Sequence, residues 1–139
     1  MRVVSLLALS VVALAAASPG SHAQTPSCYG TQQPKQVAEL LFGRDVGDRL
    51  GVSETAWSRF VAHEITPRFP DGLTITDAVG QWRDTIHGRI VREPSKRVEI
   101  VMPGGDDDET RLDAIVKAYK NEFHQQSVGV IVRPACAAF

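Results

Sequence analysis

The apolar residues of this chain repeat at two spacings, and the order in which those spacings follow one another leaves few possible folds. Residues 37–42 form a short apolar run of strand length. Trp57, Phe60, Val61 and Ile65 then fall on one face at helical spacing. Leu73, Ile75 and Val79 alternate with Thr74, Thr76 and Ala78, which is the pattern of a strand with one buried face. After a turn at His87-Gly88, Val98, Ile100 and Met102 alternate again. Leu112, Ile115, Val116, Tyr119 and Phe123 return to the helical repeat, and Val128, Val130 and Val132 give a last strand that should end before Pro134.

Local signals fix the boundaries. Ser53 suits an N-cap and Glu54 lies in the first turn, where the helix dipole favours an anion. Pro67 should stop that helix near Ile65. Gly43, Gly47 and Gly51 mark residues 44–51 as a loop, and Pro103-Gly104-Gly105 make a turn. Asp106, Asp107 and Asp108 begin the second helix, with Lys117 and Lys120 placed late, as the dipole prefers. The resulting order is strand, helix, strand, strand, helix, strand. That is an α+β chain of the ferredoxin-like βαββαβ type, an antiparallel sheet with two helices on one face. Right-handed crossovers are expected to set the first and third strands side by side and parallel, with the fourth antiparallel beside the first.

The start of the chain carries different information. Met1-Arg2 precedes an apolar stretch, residues 3–17, broken at Ser18-Pro19-Gly20 and followed by the small residues Ser21 and Ala23. Residues 1–23 read as a secretory signal peptide, too short a run for a membrane-spanning helix. Residues 24–35, rich in Pro, Ser and Gln, are a leader, and residues 36–139 a single domain. The expected location is secreted or periplasmic, with no membrane insertion after signal removal. Two cysteines, Cys28 and Cys136, stand near opposite ends of the exported part, and in that compartment a disulfide is the expected pairing. Neither has a second thiol or a histidine at ligand spacing, so no metal site is expected. Fifteen Lys and Arg face sixteen Asp and Glu, mixed along the chain, which argues against a nucleic-acid partner.

Taking His87-Gly88 as a two-residue turn sets Leu73 opposite Met102, Ile75 opposite Ile100 and Asp77 opposite Val98. Asp77 then lies on the core-facing side, where a carboxylate is costly without a partner. Lys96 is its diagonal neighbour, and Arg68 is placed to reach it from the helix end. Asp77 is therefore either half of a structural ion pair or an acid at the mouth of a cleft. Trp82 falls on the other face with Thr74, Thr76, Ala78 and Gly80, a shallow surface suited to a ligand, a partner protein or a second copy in a homodimer. No phosphate loop, dinucleotide fingerprint or nucleophile elbow is present, and no cofactor is expected. His63-Glu64 lacks the second histidine of a metalloprotease helix, because Pro67 occupies that position.

The strings "EITPRFPDGLTITDAVGQWRD" and "REPSK" resemble the secreted bacterial family known as domain of unknown function 3574, over roughly residues 39–132. The resemblance implies export and one small domain and carries no activity. It draws attention to Glu64, Arg68, Asp77, Gln81, Trp82, Arg83, Glu93 and Lys96, which lie within the matching strings. The expected function is a non-enzymatic module that binds a small molecule or a protein through the Trp82 face. The alternative is a cofactor-independent enzyme of the small dimeric α/β type, with Asp77 as acid or base and Arg83 or Lys96 holding an anionic group.

Overall fold

A computed structural model describes residues 27–47, 49–84 and 87–139, and the signal peptide read at residues 1–23 lies outside them. Strand β1 (Gln33–Gly43) is followed by a short ribbon, β2 (Asp45–Val46) with β3 (Arg49–Leu50). Helix α1 (Glu54–Phe60) runs on into a π-helical turn, Val61–Ile65. The hairpin of β4 (Thr74–Asp84) and β5 (Arg89–Val101), helix α2 (Asp108–Phe123) and strand β6 (Gly129–Ala137) complete the order. The main sheet is ordered β4-β5-β1-β6, and each neighbouring pair is antiparallel.

This is the ferredoxin-like arrangement, with one correction to its expected directions. The first and third major strands, β1 and β5, are neighbours but antiparallel, with Val37 paired to Val101. A crossover helix makes parallel the two strands it directly joins, here β1 and β4. The hairpin then returns β5 in the opposite sense into the gap between them.

The strands bury one face because alternate residues of β1 and β5 are apolar there. Ala38, Leu40, Phe42, Val98 and Ile100 pack against Trp57, Phe60 and Ile65 of the first helix and Leu112, Ile115, Tyr119 and Phe123 of the second. Both helices therefore cover the same face. Phe42 is the hub, its ring 4.7 Å from Tyr119 and 5.1 Å from Trp57, both edge-on. Edge-on rings add to the stability from area burial alone.

Capping follows the sequence signals in part. The Ser53 hydroxyl accepts from the Ala56 N–H at 3.2 Å. The helix widens before Pro67, where the Thr66 N–H donates to the Val61 carbonyl at 2.9 Å, and no further helical donor is available at the proline. At α2 the Asp107 N-cap side chain makes no capping bond; Asp108 instead accepts from the Gly104 N–H at 2.8 Å.

Two further expectations are corrected. The hairpin pairs Ile75 with Val98 and Asp77 with Lys96, two residues away from the expected register. The last ladder pair is Asp84 with Arg89, so the connection holds four residues rather than two. A slip of two keeps every side chain on its face, which is why the sidedness survives the error. Strand β6 also does not stop at Pro134 but continues to Ala137. Pro134 is tolerated because β6 is an edge strand, with one flank that needs no ladder bonds. Just beyond it Cys136 is bonded to Cys28, with Cα atoms 5.5 Å apart, which fastens the leader across the end of the sheet. No helix among the described residues is long and apolar enough to cross a membrane.

Candidate functional site

The candidate residues separate into two places on opposite sides of the sheet. On the helix-facing side, Lys96 is buried on β5 and its ammonium donates to Asp77 and, at 2.9 Å, to Glu54. Arg44, also buried, donates through Nε and Nη2 to the Val52 carbonyl at 2.9 and 2.7 Å and through Nη1 to Glu54 at 2.5 Å. These bonds tie the start of α1 to β5 and to the edge strand. The Lys96 hydrogen bond holds the Asp77 carboxyl below the usual aspartate range, and holds Glu54 down likewise. Burial alone would pull Lys96 down, but the bonds from Asp77 and Glu54 outweigh it and its affinity for a proton is raised.

Asp77 itself is not buried. It shares a side with the core, yet β4 is an edge that the helices do not cover, and its side chain is 82 % exposed. The desolvation problem expected for this carboxylate does not arise, and Lys96 is its direct rather than diagonal partner. Arg68 does not reach it. That guanidinium binds the Glu64 carboxylate at 2.8 Å and the Glu64 carbonyl at 2.6 Å. Arg83 lies exposed near the hairpin tip, paired across the ladder with Ile90.

Trp82 and Glu93 come together on the open face, around a groove of about 730 Å³ that Gln81 also lines, although its place on β4 has the opposite parity. Its floor is sheet surface at Gly43, Gly80, Ser95 and Gly129, where side chains are short or absent. One wall is the β2–β3 ribbon at Asp45 and Val46, and another is the segment after α2 at His124 and Gln125. Gln125 Nε2 donates to the Asp45 carbonyl at 2.8 Å and closes that corner. The Tyr119 hydroxyl donates to the Gly43 carbonyl at the end of β1, at 2.8 Å, so the aromatic core braces the floor.

Glu93 is the polar centre. One carboxylate oxygen accepts from the Trp82 indole N–H at 3.0 Å and the other from the Asp45 backbone N–H at 3.1 Å. A Cβ at position 43 would stand 2.7 Å from that carboxylate, so Gly43 is what lets Glu93 lie across β1. The Trp82 ring is 43 % exposed with its N–H edge thus fixed. Nearby, at the tip, Asp84 Oδ2 and His87 Nδ1 are 2.7 Å apart and Arg89 is 3.7 Å from the same carboxylate. Sequence reasoning named Trp82, Gln81 and Glu93 but missed Gly43, Asp45, Asp84, His87, Ser95 and His124 as their neighbours. The available signal was parity: Glu93 and Ser95 alternate on one face of β5, as Gly80 and Trp82 do on β4.

The sequence profile described as "Protein of unknown function (DUF3574)" matches residues 37–139. No curated protein matches the chain. Among solved structures it is similar to a phage SAM lyase in complex with S-methyl-5'-thioadenosine, with a TM-score of 0.59 at 18% identity, covering 84% of this chain and 97% of that one. A phage SAM lyase in the apo state gives 0.57 at 21% identity, covering 80% and 87%. CutA from Synechococcus elongatus, complexed with Bis-Tris, gives 0.50 at 12% identity, covering 77% and 87%. At these identities the likeness is one of fold.

Proposed function

The chain belongs to the DUF3574 family of proteins of unknown function, and from that premise we propose that it is an exported, non-enzymatic module that binds a small organic ligand in the groove of its open sheet face. The observation that carries this reading is Trp82, whose edge is pinned by Glu93 while its face stands partly bare over a floor of small residues. An indole buries a large apolar area when covered, and leaving it uncovered in a fixed pose forgoes that gain until something docks on it. The groove volume falls within the range of small-molecule sites, about 300–1,000 Å³. The disulfide is consistent with an oxidising compartment.

Acid–base chemistry at Asp77 is not part of this proposal. Its carboxylate is exposed, held by Lys96, and does not line the groove. The competing occupant is a second copy, since Leu41 and Ile131 are also exposed on the open face.

The test is a ligand screen by thermal shift and tryptophan emission, with S-methyl-5'-thioadenosine among the compounds because a fold neighbour contains it. Trp57 is buried in the core, so a change in the exposed indole is separable with Trp82→Phe. A compound that raises the melting temperature of the native protein and fails to do so for Trp82→Ala supports the reading. If Trp82→Ala dissociates an oligomer seen by sedimentation and no compound binds, the face is a subunit contact and the ligand reading is wrong.

A further inference from the structure

Among the described residues, two carboxylates that line the groove, Glu93 and Asp45, have no cationic partner. Glu93 is held by two neutral donors, an indole N–H and a backbone amide. Among the described residues no lysine or arginine pairs with Glu93 or with the neighbouring Asp45 carboxylate. Arg89 also lines the groove, but it lies 3.7 Å from Asp84, and His87 contacts the same carboxylate.

Beside this charge stands the Trp82 ring. Its N–H donates to a carboxylate, which pushes electron density toward the ring and strengthens the attraction of its face for a cation. The floor at Gly43, Gly80 and Ser95 leaves depth next to the ring for a compact group. An anionic ligand would meet Glu93 and Asp45 instead, at a cost in repulsion and desolvation.

We infer that the ligand of this groove is a cation carrying an alkylated ammonium group, seated on the face of Trp82 and paired with Glu93. The inference rests on the ligand-binding reading above and names its ligand class. Methyl groups on the nitrogen spread the charge, weaken its hydration and match an aromatic face.

Choline and its uncharged carbon isostere, in which a carbon atom replaces the nitrogen, separate charge from shape. Titrations of the full exported chain follow Trp82 emission at low ionic strength, with Trp82→Phe as the blank. Choline should bind roughly tenfold or more tightly than the isostere. Glu93→Gln should lower choline affinity by about tenfold and leave the isostere unchanged. Asp45→Asn keeps the backbone N–H that holds Glu93, so it tests the same charge if Glu93→Gln folds poorly, with a smaller loss of choline binding. Equal affinities for the two probes, or choline binding indifferent to both variants, would overturn the cation assignment while groove binding stands. Silence from both probes while a neutral compound from the screen binds overturns it too. Failure of every compound strikes the ligand-binding reading itself.

Discussion

Lys96 concentrates the residue-scale electrostatics of the fold. Its side chain is 6 % exposed while Asp77 and Glu54, which accept its hydrogen bonds, are 82 % and 65 % exposed. Both carboxyls are held below their ordinary values. Such groups add stability above their unfolded pKa and lose it as pH falls through the folded value. Lys96 is raised, so its contribution is full below the unfolded lysine value and is lost only as pH rises past the folded one. Melting temperature should therefore hold near neutrality and fall as pH drops below about 4. The Glu54→Gln/Asp77→Asn variant should start lower at neutral pH and show a flatter acid limb; an unchanged limb would remove these carboxyls as its cause. A second residue-scale prediction concerns Gly43. Alanine there drives Glu93 from its place and forfeits its bonds to Trp82 and Asp45, so Gly43→Ala should cost about 1 kcal/mol and shift Trp82 emission. Gly80→Ala is crowded only by the rotatable Ser95 hydroxyl, at 2.6 Å, with Glu93 Cγ at an ordinary 3.7 Å, and should leave the emission nearly unchanged.

Between the elements, the aromatic hub does most of the joining. Phe42 on β1 contacts rings from both helices, at Trp57, Phe60 and Tyr119. Phe42→Ala should cost about 3–5 kcal/mol in a urea melt, because few side chains around a central ring can collapse into its space. Tyr119→Phe should cost about 1 kcal/mol by losing the bond to the Gly43 carbonyl, and should disturb the groove floor as well. The order of the major elements and the face of each strand residue were legible, since periodicity records both; the short β2–β3 ribbon was not, because its glycine-flanked residues read as a loop. Depth was not. Asp77 and Val79 have the parity of core residues, but they lie on an edge strand, and Val79 is 79 % exposed. Whether a helix reaches over an edge depends on packing that no local pattern encodes. The partnership of Trp82 with Glu93 was equally hidden, because it needed the ribbon across the groove to supply the Asp45 N–H as well as the right register.

For the molecule as a whole, the covalent link between Cys28 and Cys136 encloses a sequence separation of 108 residues. In the chain-entropy treatment a closed loop of about 100 residues is stabilised by up to roughly 4.7 kcal/mol. The Cys28→Ser/Cys136→Ser variant should unfold at lower denaturant by an amount near or below that value, and reduction of the native protein should match it. Equal stability with and without the bridge would place its role elsewhere. The same bond decides how the domain behaves when stretched. A pull applied through the residues flanking Cys28 and Cys136 passes straight from one sulfur to the other, and the sheet bears none of the load. Held in an optical trap, the oxidised chain should lengthen only by those flanks, and the enclosed residues should pay out as a new step once a reductant is added. It is a domain that can sit in a taut thread without being undone by it.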